Sequence, residues 1–174
     1  MIFGHSGYLY TRYTPFSGAP AKNDELFEAV LAHPDRFLMS PRSGDPRVLV
    51  ARLLTSPENI AWEVWRGGTF SGIIIIDRVV PQVEARLQFV FFDDELASKA
   101  PLLNEFVARC FADFSLHRLT FEAPTRMTTL AGFVKRELGF SAEGVRVEAY
   151  HDGARWYDLA TFARLTSGTS GGSL

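Results

Sequence analysis

A chain of 174 residues, 47% of them hydrophobic, has the length of one domain and enough apolar material for a sizeable core, which excludes wholesale disorder. With Lys+Arg 18 against Asp+Glu 20 the formal net charge is -2, so bulk charge draws the chain neither to nucleic acid nor to an anionic membrane surface. The one cysteine, Cys110, excludes an internal disulfide, and the longest apolar run, around Ile73 to Ile76, is too short to cross a bilayer.

The opening MIFGHSGYLYTRYTPF has no basic segment followed by an apolar one, so no secretory signal is expected. Gly7 to Phe16 alternates loosely and is rich in Tyr and Thr, which predicts a first strand. Asn23 or Asp24 caps a helix through about Ala32, with Leu26, Phe27, Val30 and Leu31 on one face, and His33-Pro34 ends it. Asp45-Pro46 starts a second helix, in which Val48, Leu49, Arg52 and Leu53 recur at helical spacing, and Ser56-Pro57 closes it. Asn59 to Arg66 alternates and puts Trp62 and Trp65 on opposite faces; one suits the core, the other an exposed anchor for a partner. Gly67-Gly68 turns the chain into Thr69 to Val80, β-branched and apolar as a strand covered on both faces must be. In Glu84 to Phe92, Ala85, Leu87, Phe89 and Phe91 face one way, Arg86 and Gln88 the other.

From Pro101, the residues Leu102, Leu103, Phe106, Val107, Cys110, Phe111 and Phe114 form one helical stripe, on which Cys110 reads as a core thiol. Leu116 to Ala123 is a strand ended by Pro124. A helix follows with Leu130, Phe133, Val134 and Leu138 inward and Gly139 as its left-handed cap. Val145 to Tyr150 and Ala154 to Leu165 make a hairpin around His151-Asp152-Gly153. This order predicts an α/β (α+β) fold: a mixed, mostly antiparallel central sheet of about six to seven strands with helices on both faces. Residues 1–165 form the single domain, and 166–174, TSGTSGGSL, a Gly/Ser-rich C-terminal tail. His5, His33, His117 and His151 share no metal-ligand spacing, so no metal site is expected, and Ser71-Gly72 lacks the flanking glycines of a nucleophile elbow.

The stretch from Asn59 to Leu165 resembles the GNAT superfamily, the acyl-CoA-dependent N-acyltransferases. The resemblance rests on Leu138-Gly139-Phe140, on Glu143-Gly144 after it, and on the hairpin from Tyr150-His151-Asp152-Gly153 to Trp156-Tyr157-Asp158, in this order after a β-β-α-β unit. It implies the GNAT fold and, in an active member, transfer of an acyl group from acetyl-CoA to a protein N-terminus or a small amine. It further implies a base for the acceptor amine on the fourth strand or its neighbour, with Glu84 and Glu63 as candidates. Backbone N–H groups near Phe91 and Phe92 would polarise the thioester carbonyl. Lys135 stands where many members carry a Tyr as general acid, and Thr128 near the position of an Asn that touches the pantetheine arm. Lys99 is the one cation in the cofactor loop.

That loop departs from the resemblance. Members hold the CoA pyrophosphate in a (Gln/Arg)-x-x-Gly-x-(Gly/Ala) segment, whose backbone N–H groups turn onto phosphate oxygens. Here the segment reads Asp93-Asp94-Glu95-Leu96-Ala97-Ser98-Lys99-Ala100-Pro101, with three consecutive acids and no glycine. On this ground the main expectation is a GNAT fold with a degenerate acetyl-CoA site. Such a chain would act as a structural or protein-binding module, and an ordered Gly/Ser tail would imply packing within an assembly. The further resemblance to GNAT-like proteins of tailed-phage particles makes a virion component one form of this expectation, with location cytoplasmic or virion. The expected partners are other proteins, with no cofactor, metal, membrane or nucleic acid. The alternative is a working acyl-CoA-dependent N-acetyltransferase, which would bind acetyl-CoA.

Overall fold

The computed structural model describes residues 2–5, 8–12, 27–28, 31–32, 45–92 and 95–166. In chain order the elements are β1 (Ile2–His5), β2 (Tyr8–Arg12), α1 (Pro46–Thr55), β3 (Ile60–Arg66), β4 (Thr69–Val80), β5 (Glu84–Phe91), a 3₁₀ turn (Leu96–Lys99), α2 (Ala100–Asp113), β6 (Arg118–Pro124), α3 (Thr128–Arg136), β7 (Ser141–His151) and β8 (Trp156–Leu165). Phe27 and Glu28 are also helical, and the Ala32 N–H donates to the Glu28 carbonyl at 2.9 Å, where the sequence predicts the end of its first helix. That helix's start and its His33-Pro34 stop lie outside the described residues, as does the tail beyond Thr166.

The strands form one sheet in the order β1-β2-β3-β4-β5-β6-β8-β7. Every neighbouring pair is antiparallel except β5 and β6, which run parallel. This is the mixed, mostly antiparallel sheet that the sequence predicts, with one strand more. The addition is β1, whose four residues are too few to show an alternation; it pairs along its whole length with β2.

Helices cover both faces. On one, Trp62, Val64, Ile74, Ile76, Leu87, Phe89, Phe91 and Phe121 meet the stripes of α2 and α3, including Leu102, Phe106, Phe133 and Val134. On the other, Ala61, Ile73, Ile75 and Val90 meet Val50 and Leu54 of α1. Period-2 alternation in the strands and 3.6 periodicity in the helices thus feed the same two interfaces. Trp62 is the core tryptophan, edge-on to Phe106 with ring centroids 4.8 Å apart, while Trp65 is half-buried and donates through Nε1 to Glu63 at 3.1 Å. Cys110 lies in the α2 core, where burial pushes its thiol well up and out of reach of ionisation. Gly139 takes φ +69°, the left-handed turn that ends α3.

One glycine is fixed by contact. A Cβ on Gly72 would lie 2.4 Å from the Val90 carbonyl oxygen and 2.7 Å from Phe91 Cδ1, because β4 passes unusually close to β5 there. The register of β3 on β4 shifts at this point, between Val64 and Trp65.

Two outcomes follow. Gly72→Ala forces β4 and β5 apart and lowers stability by about 1–3 kcal/mol in urea denaturation, as overpacking in a filled core does. The turn between β7 and β8 carries a pH signature. The Asp152 carboxylate accepts the Arg155 N–H at 3.0 Å and the Ala154 N–H at 2.9 Å, which holds its pKa at about 2 against the usual 3.8. A depressed carboxylate stabilises the fold above its unfolded pKa and loses that contribution as pH falls through the folded value. NMR titration of Asp152 therefore gives a midpoint near 2, and the turn's amide signals hold at pH 4 and disperse only below pH 3.

Candidate active site

The parallel pair β5–β6 is joined over four residues only: Glu84 to Leu87 of β5 against Arg118 to Phe121 of β6. Beyond that the strands part. β5 continues to Phe91 on the β4 side, in register with Gly72, and β6 continues to Pro124 on the β8 side, in register with Leu159. The sheet therefore opens as a wedge at the C-terminal ends of its two parallel strands, the place where open α/β sheets take ligands. Phe89, just past the last pair, stacks on Phe121 with centroids 5.4 Å apart and closes the wedge on the α2–α3 face.

Both following helices begin at this mouth, α2 after β5 and α3 after β6. Neither has a side-chain cap: the N-cap residues are Lys99 and Met127, which offer no acceptor. The positive ends of both dipoles are thus presented at one opening, which suits an anion; in the first turn of α2, however, the Ala100 N–H is taken by the Ala97 carbonyl and Pro101 has none.

Lys99, expected in the cofactor loop, is fully buried at the head of α2. Its ammonium donates to Ser98 Oγ at 3.0 Å and lies 5.1 Å from the centre of the Tyr8 ring and 5.6 Å from that of Phe91. Of the three acids, Glu95 is exposed; Asp93 and Asp94 lie outside the described residues. The Phe92 N–H, a candidate for polarising a carbonyl, donates to the Ser71 carbonyl at 3.0 Å. Strand alternation turns the Phe91 N–H the other way, toward the wedge. Thr128 is the first residue of α3 and exposed at the mouth.

The remaining candidates do not gather there. Glu84 stands at the opposite, closed end of β5, 48% exposed, with Arg118 Nε 3.6 Å away. Lys135 is exposed in the last turn of α3, a helix length from the mouth. Glu63 is buried on the α1 face but on β3, two strands from the wedge, and holds the Trp65 indole. The structure thus brings Lys99, Thr128 and the Phe91 backbone to one opening and leaves Glu84, Lys135 and Glu63 outside it. A concavity of about 360 Å³, lined by Arg66, Thr69, Phe70, Ser71 and Phe92, lies beside the end of β5. Among the described residues no group of three or more His, Cys, Asp or Glu could hold a metal ion.

A polar group that the sequence reading did not name lies on the α1 face at the root of the wedge. Arg86 donates to both oxygens of Asp77, at 2.8 and 2.6 Å, and to Glu122 Oε2 at 2.7 Å. Burial works against its charge, but Asp77 and then Glu122 outweigh that and raise its pKa. Arg146 closes on Glu122 Oε1 at 2.6 Å. Gln88 Nε2 donates to Asp77 Oδ2 at 2.6 Å, while Gln88 Oε1 is buried with no hydrogen-bond partner among the described residues. An unsatisfied acceptor costs about 1–3 kcal/mol; among the described residues the Tyr8 hydroxyl is the other buried side-chain atom without a hydrogen-bond partner. The signal was present: Arg86 and Gln88 are polar positions on a strand covered on both faces, where polar groups must find partners.

Arg86→Met leaves Asp77 and Glu122 without their shared cation. Breaking a buried pair from one side costs about 3–5 kcal/mol, which will appear as a lowered urea midpoint with an unchanged slope.

No protein-family model matches the sequence, and no curated protein does. Solved structures do. One is a ribosomal L7/L12 alpha-N-protein acetyltransferase in complex with coenzyme A, at 12% identity and TM-score 0.73, covering 95% of this chain and 98% of that one. Another is a spermidine N-acetyltransferase from Vibrio cholerae in complex with CoA and spermine, at 17% identity and TM-score 0.69, covering 94% and 98%. A third is a probable acetyltransferase of the GNAT family from Chromobacterium violaceum, at 17% identity and TM-score 0.71, covering 94% and 90%. At these identities the likeness is one of fold, and it extends over nearly the whole of each chain. With its half-sheets splayed at the parallel pair and two helices starting at the opening, the chain has the GNAT fold, that of the acyl-CoA-dependent N-acyltransferases.

Proposed function

We propose that the chain is an acyl-CoA-dependent N-acyltransferase, with acetyl-CoA held in the wedge between β5 and β6 and an amine as acceptor. The observation that carries this reading is the wedge itself, opened at the mouth of two helices that lack side-chain caps. The similar folds crystallised with CoA support it.

The residues present fit the cofactor in part. The first turn of α3 supplies N–H donors and both helices a dipole for phosphates, and Thr128 adds a hydroxyl at the mouth. The Phe91 N–H is oriented for a carbonyl oxygen. Lys99 supplies a positive charge at the head of α2 in place of the glycines, its ammonium set over the Tyr8 and Phe91 rings. When bound, the thioester supplies the activated acyl group; this chain's part is to hold it, exclude water along the Phe89–Phe121 floor and present the amine. Lys135 stands where many members carry a tyrosine as general acid and lies a helix length from the mouth, so the leaving thiolate takes its proton from the attacking amine or from solvent.

A second reading keeps the fold without the reaction, as a protein-binding or structural module that includes the virion component. Two features favour it: the loop from 93 to 101 has no glycine, and the outer hairpin exposes Val145 and Val147 on β7 and Trp156 at the start of β8. Such a bare apolar edge suits a protein partner. Either way, no helix among the described residues is long and apolar enough to cross a membrane.

Titration calorimetry with acetyl-CoA decides between the two. The enzyme reading expects a dissociation constant in the micromolar range (about -8 kcal/mol at 1 μM), weakening as salt screens the phosphates. No heat at millimolar acetyl-CoA overturns it in favour of the module.

A further inference from the structure

Arg78 of β4 sits in a backbone conformation that works against it. Its φ is +52°, in the left-handed region where a Cβ crowds the neighbouring carbonyl. The ladder of β4 on β5 slips at this point, between Asp77 and Val80, and the slip redirects the side chains. Strict alternation would turn Arg78 to the side of Ile74 and Ile76, into the apolar core under α2 and α3. Instead Val79 packs on that core, and Arg78 follows Asp77 to the α1 face, 3.7 Å from Glu122 Oε2. The carboxylate does not need it: Arg86 and Arg146 already hold the two Glu122 oxygens, at 2.7 and 2.6 Å. The acids nearer the closed end, Glu84 and Glu143, are taken by Arg118. Arg78, Arg86 and Arg146 thus share Asp77 and Glu122, a local excess of positive charge.

This excess is open to solvent. Arg78 reaches Glu122 from β4 and Arg146 from β7, on opposite sides of β6, and their side chains are 62% and 53% exposed. Arg78 is too far from Glu122 for a hydrogen bond, and its guanidinium has none among the described residues. More cations lie along the same face. Leu159 stands opposite Arg146 in the β7–β8 ladder, and two residues back along β8 Tyr157 shares its side of the sheet. The Tyr157 ring carries the guanidiniums of Arg126 at 4.5 Å and Arg155 at 4.7 Å. Asp152, 3.7 Å from Arg126, offsets part of that charge. Arginine therefore lines this face from the seam to the turn of the hairpin.

We propose that the α1 face of β6, β8 and β7 binds an extended acidic segment of another protein, one carboxylate bridging Arg78 and Arg146 and another meeting Arg126 and Arg155. A carboxylate presents two oxygens to the forked donors of a guanidinium. Side chains on one side of an extended segment recur every second residue, about 7 Å apart, which is also the interval from Leu159 to Tyr157 on β8. Acids at alternate positions thus keep step with the strand beneath them. The strain at Arg78, where glycine would sit without cost, marks a side chain kept for binding. The groups bound are carboxylates, so the proposal stands for either function given above.

The test uses the full chain and a hexaglutamate peptide, N-acetylated so that it offers no amine, with a neutral dye at its C-terminus read by fluorescence anisotropy. The expected result is saturable binding that weakens as salt rises from about 0.05 to about 0.5 M, with hexaglutamine silent. Arg78→Gly, Arg146→Gln and Arg155→Gln each weaken binding about fivefold or more, while Arg136→Gln at the end of α3 leaves it unchanged. Arg78→Gly separates binding from folding: it releases the left-handed strain, so its urea midpoint stays level or rises as binding falls. No binding at millimolar peptide overturns the proposal, as does an Arg78→Gly protein that binds like wild type. Free succinate competing as well as the peptide reduces the face to a small-anion site and overturns the extended partner. A tighter complex with a thymidylate hexamer than with hexaglutamate overturns the choice of polypeptide. Absence of acetyl-CoA binding in calorimetry removes the acyltransferase and leaves each of these outcomes as it is.

Discussion

Four residue pairs hold this molecule's two half-sheets together. β1 to β5 are built from residues before 92 and β6 to β8 from residues after 117; among the described residues the ladder Glu84–Leu87 against Arg118–Phe121 joins them through the backbone, extended by the His117 and Arg118 N–H groups on the Val83 carbonyl, each at 3.0 Å. A parallel pair cannot be closed by a tight turn; it needs a crossover, and α2 is that crossover. The short seam and the helix that spans it make the opening inevitable. Past Leu87 each strand follows its antiparallel neighbour, β4 or β8, because those ladders are longer and the right-handed twist of each half carries it away from the other.

The two faces of the wedge differ in kind. On the α2–α3 side, Phe89, Phe121 and Phe133 form a dry aromatic floor. On the α1 side, Asp77, Arg86, Gln88 and Glu122 form a layer of charge and amide that spans β4, β5 and β6. A buried ionic layer of this sort contributes little net stability compared with apolar packing. It does fix side-chain directions that apolar contacts leave loose. Here it sets which atom of Gln88 faces Asp77.

Much of the fold was legible in the sequence because period and punctuation agreed. The Leu102-to-Phe114 stripe, the Asp45-Pro46 start, Gly139 and Asp152-Gly153 each specify a local conformation that tertiary packing did not override. β1 escaped because its only signal is its partner. The site was less legible. Sequence pattern placed Lys99, Thr128 and Phe91 near the opening, but Glu84 belongs to the closed end, since a strand's two ends look alike until its partner's direction is known. Lys135 reads as a charge on a helix in either case. The polar layer at the root was hidden because its members come from three strands and meet only through the register.

Arg118 sets a limit on the wedge from its closed end. Its guanidinium binds Glu143 of β7 through both terminal nitrogens and lies 3.6 Å from Glu84 of β5, so one cation straps three strands where the seam begins. The strap is partly open to water, unlike the layer above it. Dissolved ions therefore screen this strap more than they do the buried layer at the root.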